Sequence, residues 1–378
     1  MKILYHHRIA SKDGQYVHVQ ELTNAMLEHG HQLTFVAPGF TKASGFGDEG
    51  GIATKLKAML PQWIYELLEL GYSGLVAIKL TKAILKDRPD FIYERYNLYQ
   101  PAGVIVSMIF RLPILMEINA PLVDERRKYD GLALPRFAKM IEGFTWKYSG
   151  AALPVTKVLG DIVANRGTSQ KNIHVIHNGI NLNIYNQLEV PKALGKEQRL
   201  VIGFVGFIHP WHRMDLAIDA LAECSNNCVE LVCVGEGDIR PELEAQAQAR
   251  GVSDRVTFTG LKDRDQVFDY VAKFDIAVQP AVTPYASPLK LFEYLAAGCL
   301  IIAPDSENIL EIVNDHNALL YRSGDTADFK DKLLYAVEHI HELDKLRINA
   351  RKLILEKRFF WQANAERVVK IAQDLIGH

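Results

Sequence analysis

The amino-acid sequence predicts an α/β protein of two domains, each built on a parallel sheet with helices on both faces. Three observations lead to this prediction. The chain has 378 residues, more than one hydrophobic core usually serves. Short apolar runs alternate with longer amphipathic ones, as strands and helices do in parallel α/β sheets. The alternation stops at the polar stretch 181–198, which we interpret as a linker, and then starts again.

The N-terminal domain, residues 1–180, contains short apolar strands separated by amphipathic segments. The candidate strands are Lys2–Tyr5, Gln32–Val36, Phe91–Tyr93, Pro113–Glu117, Ala151–Val155 and Ile173–Ile176. The candidate helices are Val17–His29, Ala53–Lys86, Pro101–Phe110 and Pro135–Tyr148.

The C-terminal domain, residues 199–358, repeats the pattern and is followed by a last segment, 359–378. Its candidate strands are Leu200–Gly206, Val229–Val234, Val256–Thr259, Ile276–Gln279 and Leu300–Ala303. Its candidate helices are Leu216–Glu223, Arg240–Arg250, Asp265–Lys273 and Pro288–Ala297. The last segment is predicted to form a helix that could pack on either domain. Open α/β sheets bind ligands at the carboxyl ends of their strands, so two facing sheets predict a site in the cleft between them.

Composition excludes several classes of protein. The formal net charge of −2 gives no support for nucleic-acid binding. The four cysteines have no zinc-binding spacing. The longest apolar stretch, Ala102–Ile118, is interrupted by Arg111 and Pro113 and is too short to span a bilayer. The first residues read as a strand and not as a signal peptide, so we expect a cytoplasmic protein.

The segment Ser287–Gly298 is predicted to be a capped helix whose start binds phosphate. Ser287 suits the N-cap, Pro288 the first turn, and Gly298 the left-handed position after the end.

The free amides of Leu289 and Lys290, the helix dipole and the Lys290 ammonium together predict an anion site. Glu293 lies one turn further on the same face, where it could bind ribose hydroxyls. The alternative interpretation is an ordinary helix with a surface Lys–Glu pair.

Two further loops could contact the same ligand. Gly203–Arg213 leaves a strand, and its His212 and Arg213 would supply cationic donors. The alternative is a polar loop with a packed Trp211. Gly14 precedes a helix and could let the backbone approach the donor, although a simple tight turn explains it as well.

Polar residues at the ends of two N-terminal strands are candidates for an acceptor site. Glu117 and Asn119 follow one strand, and Glu94, Arg95 and Tyr96 end the preceding one. The alternative for the triplet is an Arg–Glu pair that braces the edge of the sheet.

Together these segments resemble the retaining glycosyltransferases of family 4, which have the GT-B fold of two facing Rossmann-like domains with an interdomain cleft. The resemblance covers nearly the whole chain. It includes Asp13-Gly14, His177–Asn181, Gly203–Arg213, Val234–Gly237, Val256–Leu261 and Ser287–Gly298. Glu117–Leu122 and Ser287–Gly298 look like a subgroup found in bacterial exopolysaccharide clusters.

The resemblance implies transfer of a sugar, with retention, from a nucleotide sugar to a glycan or lipid-linked acceptor. It implies a UDP-sugar, of which UDP-glucose is the most common, and neither metal nor cofactor. Lys290 and the backbone amides that follow Pro288 would hold the diphosphate, and Glu293 would hold the ribose. Gly235 and Leu261 would flank the base.

The chain departs from the family pattern at three places. Tyr285 stands where the first of two paired glutamates is usual. Phe207 and His212 stand where arginine and lysine usually bind phosphate, which Arg213 could replace. Asn119 stands where a histidine or aspartate often lies near the reacting sugar, and it can donate a hydrogen bond but cannot titrate. We predict catalytic roles for Asn119, Lys290 and Arg213.

Two other functions stay open: a nucleotide-sugar epimerase or hydrolase of the same fold, and a ligand-binding protein without chemistry. The first would need a titratable acid–base set. The segment Lys55–Tyr65 combines lysines with apolar and aromatic residues, which predicts either peripheral membrane contact or an amphipathic helix packed on the core.

Overall fold

In the computed structural model, which describes residues 1–9, 14–38, 59–187 and 199–377, each strand belongs to one of two parallel sheets. The chain divides into two units. The first consists of Met1–His177 with Trp361–His378, and the second of Asn178–Phe360. The final helix, whose domain the sequence left open, thus groups with the first unit.

The sheet of the first unit has five strands in the order β2-β1-β3-β4-β5. They are β1 (Lys2–His6), β2 (Gln32–Val36), β3 (Phe91–Arg95), β4 (Ile114–Ile118) and β5 (Ala151–Pro154). The described helices of this unit are α1 (Gly14–Glu28), α2 (Gln62–Asp87), α3 (Ala102–Phe110), α4 (Leu122–Tyr129), α5 (Pro135–Lys147), α6 (Lys157–Asn165) and α15 (Trp361–Ile376). The strand order reverses its direction between β1 and β3, which makes their carboxyl ends the expected ligand edge.

The sheet of the second unit has six strands in the order β11-β10-β9-β6-β7-β8. They are β6 (Leu200–Val205), β7 (Val229–Val234), β8 (Val256–Phe258), β9 (Ile276–Val278), β10 (Leu300–Pro304) and β11 (Leu319–Tyr321). Its described helices are α7 (Leu182–Gln187), α8 (Met214–Glu223), α9 (Arg240–Ala249), α10 (Arg264–Val271), α11 (Leu289–Ala297), α12 (Glu307–Leu310), α13 (Thr326–Glu338) and α14 (Asp344–Glu356). This is the Rossmann strand order, and its switch point lies between β6 and β9.

Two differences from the predicted elements concern weak signals. Ile173–Ile176 is not a strand: it runs beside β5 with an isolated bridge from Ile173 to Ala152. The three-residue strand β11 and the two long helices after it were not predicted. The other predicted strands formed, and β3, β4 and β10 are buried along their whole length, whereas β2 and β8 are partly exposed.

Candidate functional site

Lys290 lies at the switch point of the second sheet, in the first turn of α11. Gly206, which follows β6, has a φ of 127°, a conformation that favours glycine. A Cβ on Gly206 would lie 3.2 Å from the Lys290 ammonium nitrogen. The same nitrogen lies 3.8 Å from the centre of the Phe204 ring. The strand β6, its glycine loop and the start of α11 therefore converge on one cation.

The ammonium group of Lys290 is buried although the residue as a whole is half-buried. It has no hydrogen-bond partner in the part of the chain that the structure describes. Burial lowers the pKa of Lys290 to about 7, against the opposing effect of Glu293 and Cys233. A buried cation without a partner, at the positive end of a helix dipole, is an arrangement that an anion would complete.

Three glycine loops meet at the same edge of the sheet. Gly235, at a φ of 145°, follows β7, and a Cβ there would overlap the carbonyl oxygen of Gly206. The backbone amide of Gly206 donates to Val234 at 3.0 Å, and Gly235 forms a bridge to Gly260. Leu261 follows Gly260 and is exposed. Gly235 therefore has a packing role, the close approach of two backbones, next to the position predicted to flank a base.

Hydrogen bonds from distant parts of the second unit hold the loop between β9 and α11. Asn178 donates through Nδ2 to the carbonyl of Ser287 at 2.6 Å, and its backbone amide donates to the Ser287 hydroxyl at 3.3 Å. Asn308 donates to the carbonyl of Ala286 at 2.8 Å. Tyr321 donates to the carbonyl of Pro280. The loop that leads to Lys290 is thus tethered at both ends.

The predicted capping of this helix is corrected in one respect. The helix begins at Leu289 with Pro288 as the N-cap, and no side chain caps it. Ser287 lies one position before the N-cap, and its hydroxyl accepts a hydrogen bond from the backbone amide of Asn178. Gly298 does adopt the left-handed conformation after the helix, with a φ of 67°. The amides of Leu289 and Lys290 remain at the open end of the helix.

Glu293 is buried, and its carboxylate pairs with the guanidinium of Arg264. Arg264 is the first residue of α10, after a capping box formed by Asp263 and Gln266. The interpretation of Lys290 and Glu293 as a surface ion pair is therefore wrong, because Glu293 is inside and its partner is another residue. Sequence reasoning missed Arg264, for which the capping box was the available signal.

His212 does not supply the predicted positive charge. Burial, Lys290 and His209 lower the pKa of His212 to about 2, so the imidazole is neutral at physiological pH. Arg213, at a φ of 54°, is exposed and pairs with Asp215 at 2.9 Å. With Tyr321 among others it lines a pocket at the ends of β9, β10 and β11. It stays a prediction that Arg213 binds phosphate in place of the arginine and lysine that are usual at positions 207 and 212.

In the first unit, four side chains donate to the buried carboxylate of Glu117. They are Arg95, Tyr93 at 2.8 Å, His18 at 3.2 Å and Asn119 at 2.6 Å. Burial alone would raise the pKa of Glu117, but His18 and Arg95 hold it well below its usual range. The carboxylate is therefore an anion that joins α1, β3 and the end of β4.

The orientation of Asn119 follows from this carboxylate. An ionised carboxylate only accepts hydrogen bonds, so the NH2 group of Asn119 must face Glu117. The amide oxygen Oδ1 then points away from Glu117 and can accept a hydrogen bond from a hydroxyl group. Asn119 is half-buried, whereas Glu117 is buried. Of this pair, only Asn119 is placed to contact a ligand.

The other predicted acceptor residues turn inward. Glu94 pairs with His6 at 2.8 Å across the β1–β3 switch point. Tyr96 donates to Glu142 at 3.0 Å, and Arg95 is buried against Glu117 as described above. The prediction that Glu94, Arg95 and Tyr96 contact an acceptor is therefore corrected. Their side chains are buried, and the pairs His6–Glu94 and Arg95–Glu117 brace the edge of the sheet.

Two predicted segments lie partly outside the described residues. Gly14 is the first residue of α1, and a Cβ there would meet nothing within 4 Å. Packing does not require glycine at this position, and the four residues before it, 10–13, are not described. Of Lys55–Tyr65, residues 55–58 also lie outside, while Met59 and Trp63 are exposed.

The described residues contain no group of three or more histidine, cysteine or acidic side chains that could hold a metal ion. In the same parts of the chain, no helix is both long and apolar enough to cross a bilayer.

Comparison with protein families matches both halves of the chain. The model described as Glycosyltransferase Family 4 matches residues 12–184, and the model described as Glycosyl transferases group 1 matches residues 199–339. The chain is 25% identical over 153 residues to the alpha-D-kanosaminyltransferase of Streptomyces kanamyceticus, which is 39% of either chain. It is 26% identical over 204 residues to the phosphatidyl-myo-inositol mannosyltransferase of Mycobacterium leprae, 52% of either chain. These alignments thus span about half or less of the relatives' own length.

Solved structures resemble the chain over its whole length. Sucrose-phosphate synthase from Thermosynechococcus elongatus has a TM-score of 0.76 at 16% identity, covering 100% of this chain and 99% of the other. Anabaena HepE in complex with UDP and glucose has a TM-score of 0.73 at 17% identity, covering 99% and 100%. At such identities the likeness concerns the fold. Together with the two family matches, it shows that both halves of the chain are similar to domains of glycosyltransferases and that the fold is that of the GT-B enzymes.

Proposed function

We propose that this chain transfers a sugar from a UDP-sugar, with UDP-glucose as the first candidate, to a glycan or lipid-linked acceptor in polysaccharide biosynthesis at the cytoplasmic face of a membrane. The observation that carries the proposal is the buried ammonium of Lys290 beside Gly206 at the start of α11, which has no hydrogen-bond partner among the described residues. A diphosphate is the anion that such a site in a nucleotide-binding sheet would take. The presence of UDP and glucose in the HepE complex supports this choice of donor.

Lys290 would act on the leaving diphosphate. Negative charge grows there as the bond to the sugar breaks, and a fixed cation in a water-poor site stabilises that charge most. The amides of Leu289 and Lys290 would share the phosphate oxygens. Glu293, oriented by Arg264, would accept hydrogen bonds from the ribose hydroxyls, while Gly235 and Leu261 would border the base. These assignments place the cation, the ribose contact and the base pocket along one edge of the sheet.

The first unit would supply Asn119, whose Oδ1 can accept a hydrogen bond from a sugar hydroxyl. Asn119 cannot take a proton, so we propose that the donor's own diphosphate removes the acceptor proton, as the family resemblance implies. The same resemblance supports retention of the anomeric configuration. We also propose that Lys290 and the dipole of α11 offset the diphosphate charge without a metal ion.

Incubation with a panel of nucleotide sugars, with and without glycan acceptors, tests the proposal. Nucleotide release that depends on acceptor, survives EDTA and yields a product with the donor's anomeric configuration by NMR is the expected result. Free sugar without acceptor would instead identify a hydrolase, and an isomerised donor an epimerase. Binding of a nucleotide sugar without any turnover would leave a ligand-binding protein and contradict the proposed transfer.

A further inference from the structure

Helix α2 presents a stripe of large apolar side chains to solvent. Trp63, Leu67, Leu75, Ile78 and Leu85 recur at helical spacing along one face, and each is between 44% and 64% exposed. The stripe extends from Trp63 to Leu85, which corresponds to about 33 Å of helix. An apolar face of this length on the outside of a folded unit is unusual and indicates a surface that contacts something else.

In the first half of α2, acidic side chains face the interior and apolar side chains face solvent. Glu66 and Glu69 lie on the buried face. Glu66 accepts hydrogen bonds from Tyr99 at 2.7 Å and from the backbone amide of Leu134 at 3.0 Å. Glu69 pairs with Arg126, with one contact at 2.8 Å. The acids are thus satisfied inside the unit, and the leucines of the same turns face solvent.

The exposed charges of α2 all have one sign. Lys79, Lys82 and Lys86 lie along one side of the apolar stripe and are exposed. Asp87, at the end of the helix, is half-buried and accepts a hydrogen bond from Thr34 at 3.2 Å. The exposed face of α2 therefore combines apolar side chains with lysines and carries no exposed acid among its described residues.

The neighbouring helix α3 extends the surface. It packs against α2, and the backbone amide of Ala102 donates to the Ser73 hydroxyl between them at 3.1 Å. Ile105, Met108 and Ile109 of α3 are exposed, and the exposed Arg111 follows them. We call the exposed side chains of both helices the α2–α3 surface.

We propose that the α2–α3 surface docks onto an anionic lipid bilayer. Apolar side chains beside basic ones are the features of an interfacial helix, in which the first enter the acyl boundary and the second meet the lipid phosphates. A second copy of this chain would bring the same lysines and no acid from this face to pair with them. The surface contains none of the proposed donor or acceptor residues, so this inference does not rest on sugar transfer. It shares only Trp63 with the segment Lys55–Tyr65.

Vesicle co-sedimentation of the full chain tests the inference. The probes are phosphatidylcholine vesicles with and without phosphatidylglycerol at physiological ionic strength. One variant, Leu67→Gln/Leu75→Gln/Ile78→Gln, removes the centre of the stripe, and a second, Lys79→Gln/Lys82→Gln, removes two charges. The matched control is Ile348→Gln/Leu355→Gln/Lys352→Gln on α14, where these side chains are also exposed. The replaced residues are all exposed, so melting temperatures should stay near that of the wild type.

We expect the wild type to bind anionic vesicles more tightly than neutral ones. The lysine variant should lose about fivefold in binding per lysine on anionic vesicles only. The stripe variant should lose at least about tenfold on both, and the control should bind as the wild type does. Absence of wild-type binding to anionic vesicles, or an equal loss in the control, would overturn the inference. So would a dimer in light scattering that the stripe variant dissolves, because the surface would then be an interface between copies.

Discussion

Among single residues, Lys290 has opposite effects on folding and on anion binding, because its buried ammonium lowers stability but favours a bound anion. In the unfolded chain its amine has an ordinary pKa near 10.5, whereas burial lowers the folded value to about 7. Between these two values the unfolded state binds more protons, so the stability that this residue costs is recovered as pH rises. At neutral pH the empty site therefore holds a partly charged group at a cost that a bound diphosphate would offset.

Replacing Lys290 by methionine should separate the two demands. The variant Lys290→Met should melt a few degrees above the wild type at pH 7, because a buried cation is replaced by an apolar side chain of similar length. Its kcat should fall by about a hundredfold or more, as when other fixed charge-stabilising donors are removed. Calorimetry and donor kinetics measure both. Lys352→Met on the exposed side of α14 is the control and should change neither. A Lys290→Met enzyme with wild-type kcat would contradict the proposed role.

The same residue predicts the pH dependence of donor use. In the free enzyme Lys290 loses its proton as pH rises through about 7, so kcat/KM for the donor should decline above that pH. The variant Lys290→Arg, which stays charged throughout, should show a flatter profile even if its activity is lower. Initial rates from pH 6 to 9 at low donor concentration give the comparison. Equal profiles for the two proteins would show that another group titrates.

Glu117 predicts an effect on stability in the first unit. Glu117→Gln removes the anion that faces the buried Arg95, which should lower the free energy of unfolding by about 3 kcal/mol at pH 7. Because the pKa of Glu117 is depressed in the folded state, its contribution is present above the unfolded pKa and is lost as pH falls. Urea denaturation at pH 7 and at pH 4 should show the variant closer to the wild type at pH 4. The exposed Glu356→Gln is the control; a constant difference at both pH values would argue against this coupling.

At the scale of elements, local sequence patterns predicted where helices and strands lie better than they predicted which residues these elements contact. The capped segment Ser287–Gly298 became α11, at the ligand edge where it was expected. Its predicted cap was wrong, because the N-cap is Pro288. The hydroxyl of Ser287 instead accepts a hydrogen bond from the backbone amide of Asn178, which is 109 residues away in sequence. Such a contact follows from the tertiary fold and leaves no local pattern.

Burial explains the other errors at the site. His212 was predicted to be a cation from its residue type, but its charge is decided by the desolvation and the neighbouring Lys290 that only the fold reveals. The pair His6–Glu94 could have been found from the sheet order, because these residues face each other in register on β1 and β3. Ile173–Ile176 was wrongly predicted to be a strand, because apolar content does not determine whether a segment at the edge of a sheet forms the complete set of strand hydrogen bonds.

At this scale we expect two glycine-to-alanine substitutions to change stability in opposite directions. Gly235→Ala should destabilise the second unit by about 3 kcal/mol or more, because the new Cβ would overlap the backbone of Gly206 at a φ that disfavours alanine. Gly74→Ala, in the middle of α2 with nothing within 4 Å, should instead stabilise by about 0.5–1 kcal/mol. Chemical denaturation of the two variants measures the opposite signs. A neutral Gly235→Ala would mean that the two loops can separate freely.

On the scale of the whole molecule, the two units differ in how the chain builds them. The second unit is one continuous segment, Asn178–Phe360, whereas the first is completed by Trp361–His378. Helix α15 buries Trp361 and Val368, and Trp361 lies 4.8 Å from His18 of α1, measured between ring centres. Asn364 also donates to the carbonyl of His177 at 2.8 Å. The amphipathic pattern predicted this helix, but only the fold assigned it to a unit.

Truncation after Phe360 should therefore damage the first unit and spare the second. Without α15 the apolar side of α1 and the His18–Glu117 contact lose their cover, so the first unit should melt at a lower temperature or fail to fold. The second unit keeps its sheet, Lys290 and Gly206, and should still bind UDP. Calorimetry resolves the melting of the truncated chain, and titration calorimetry measures UDP binding, with the isolated segment 178–360 as the control. A truncated chain that keeps the melting profile of the full chain would show that α15 is dispensable to the first unit. Loss of UDP binding from the well-folded segment 178–360 would show instead that the nucleotide needs more than the β6–β9 edge.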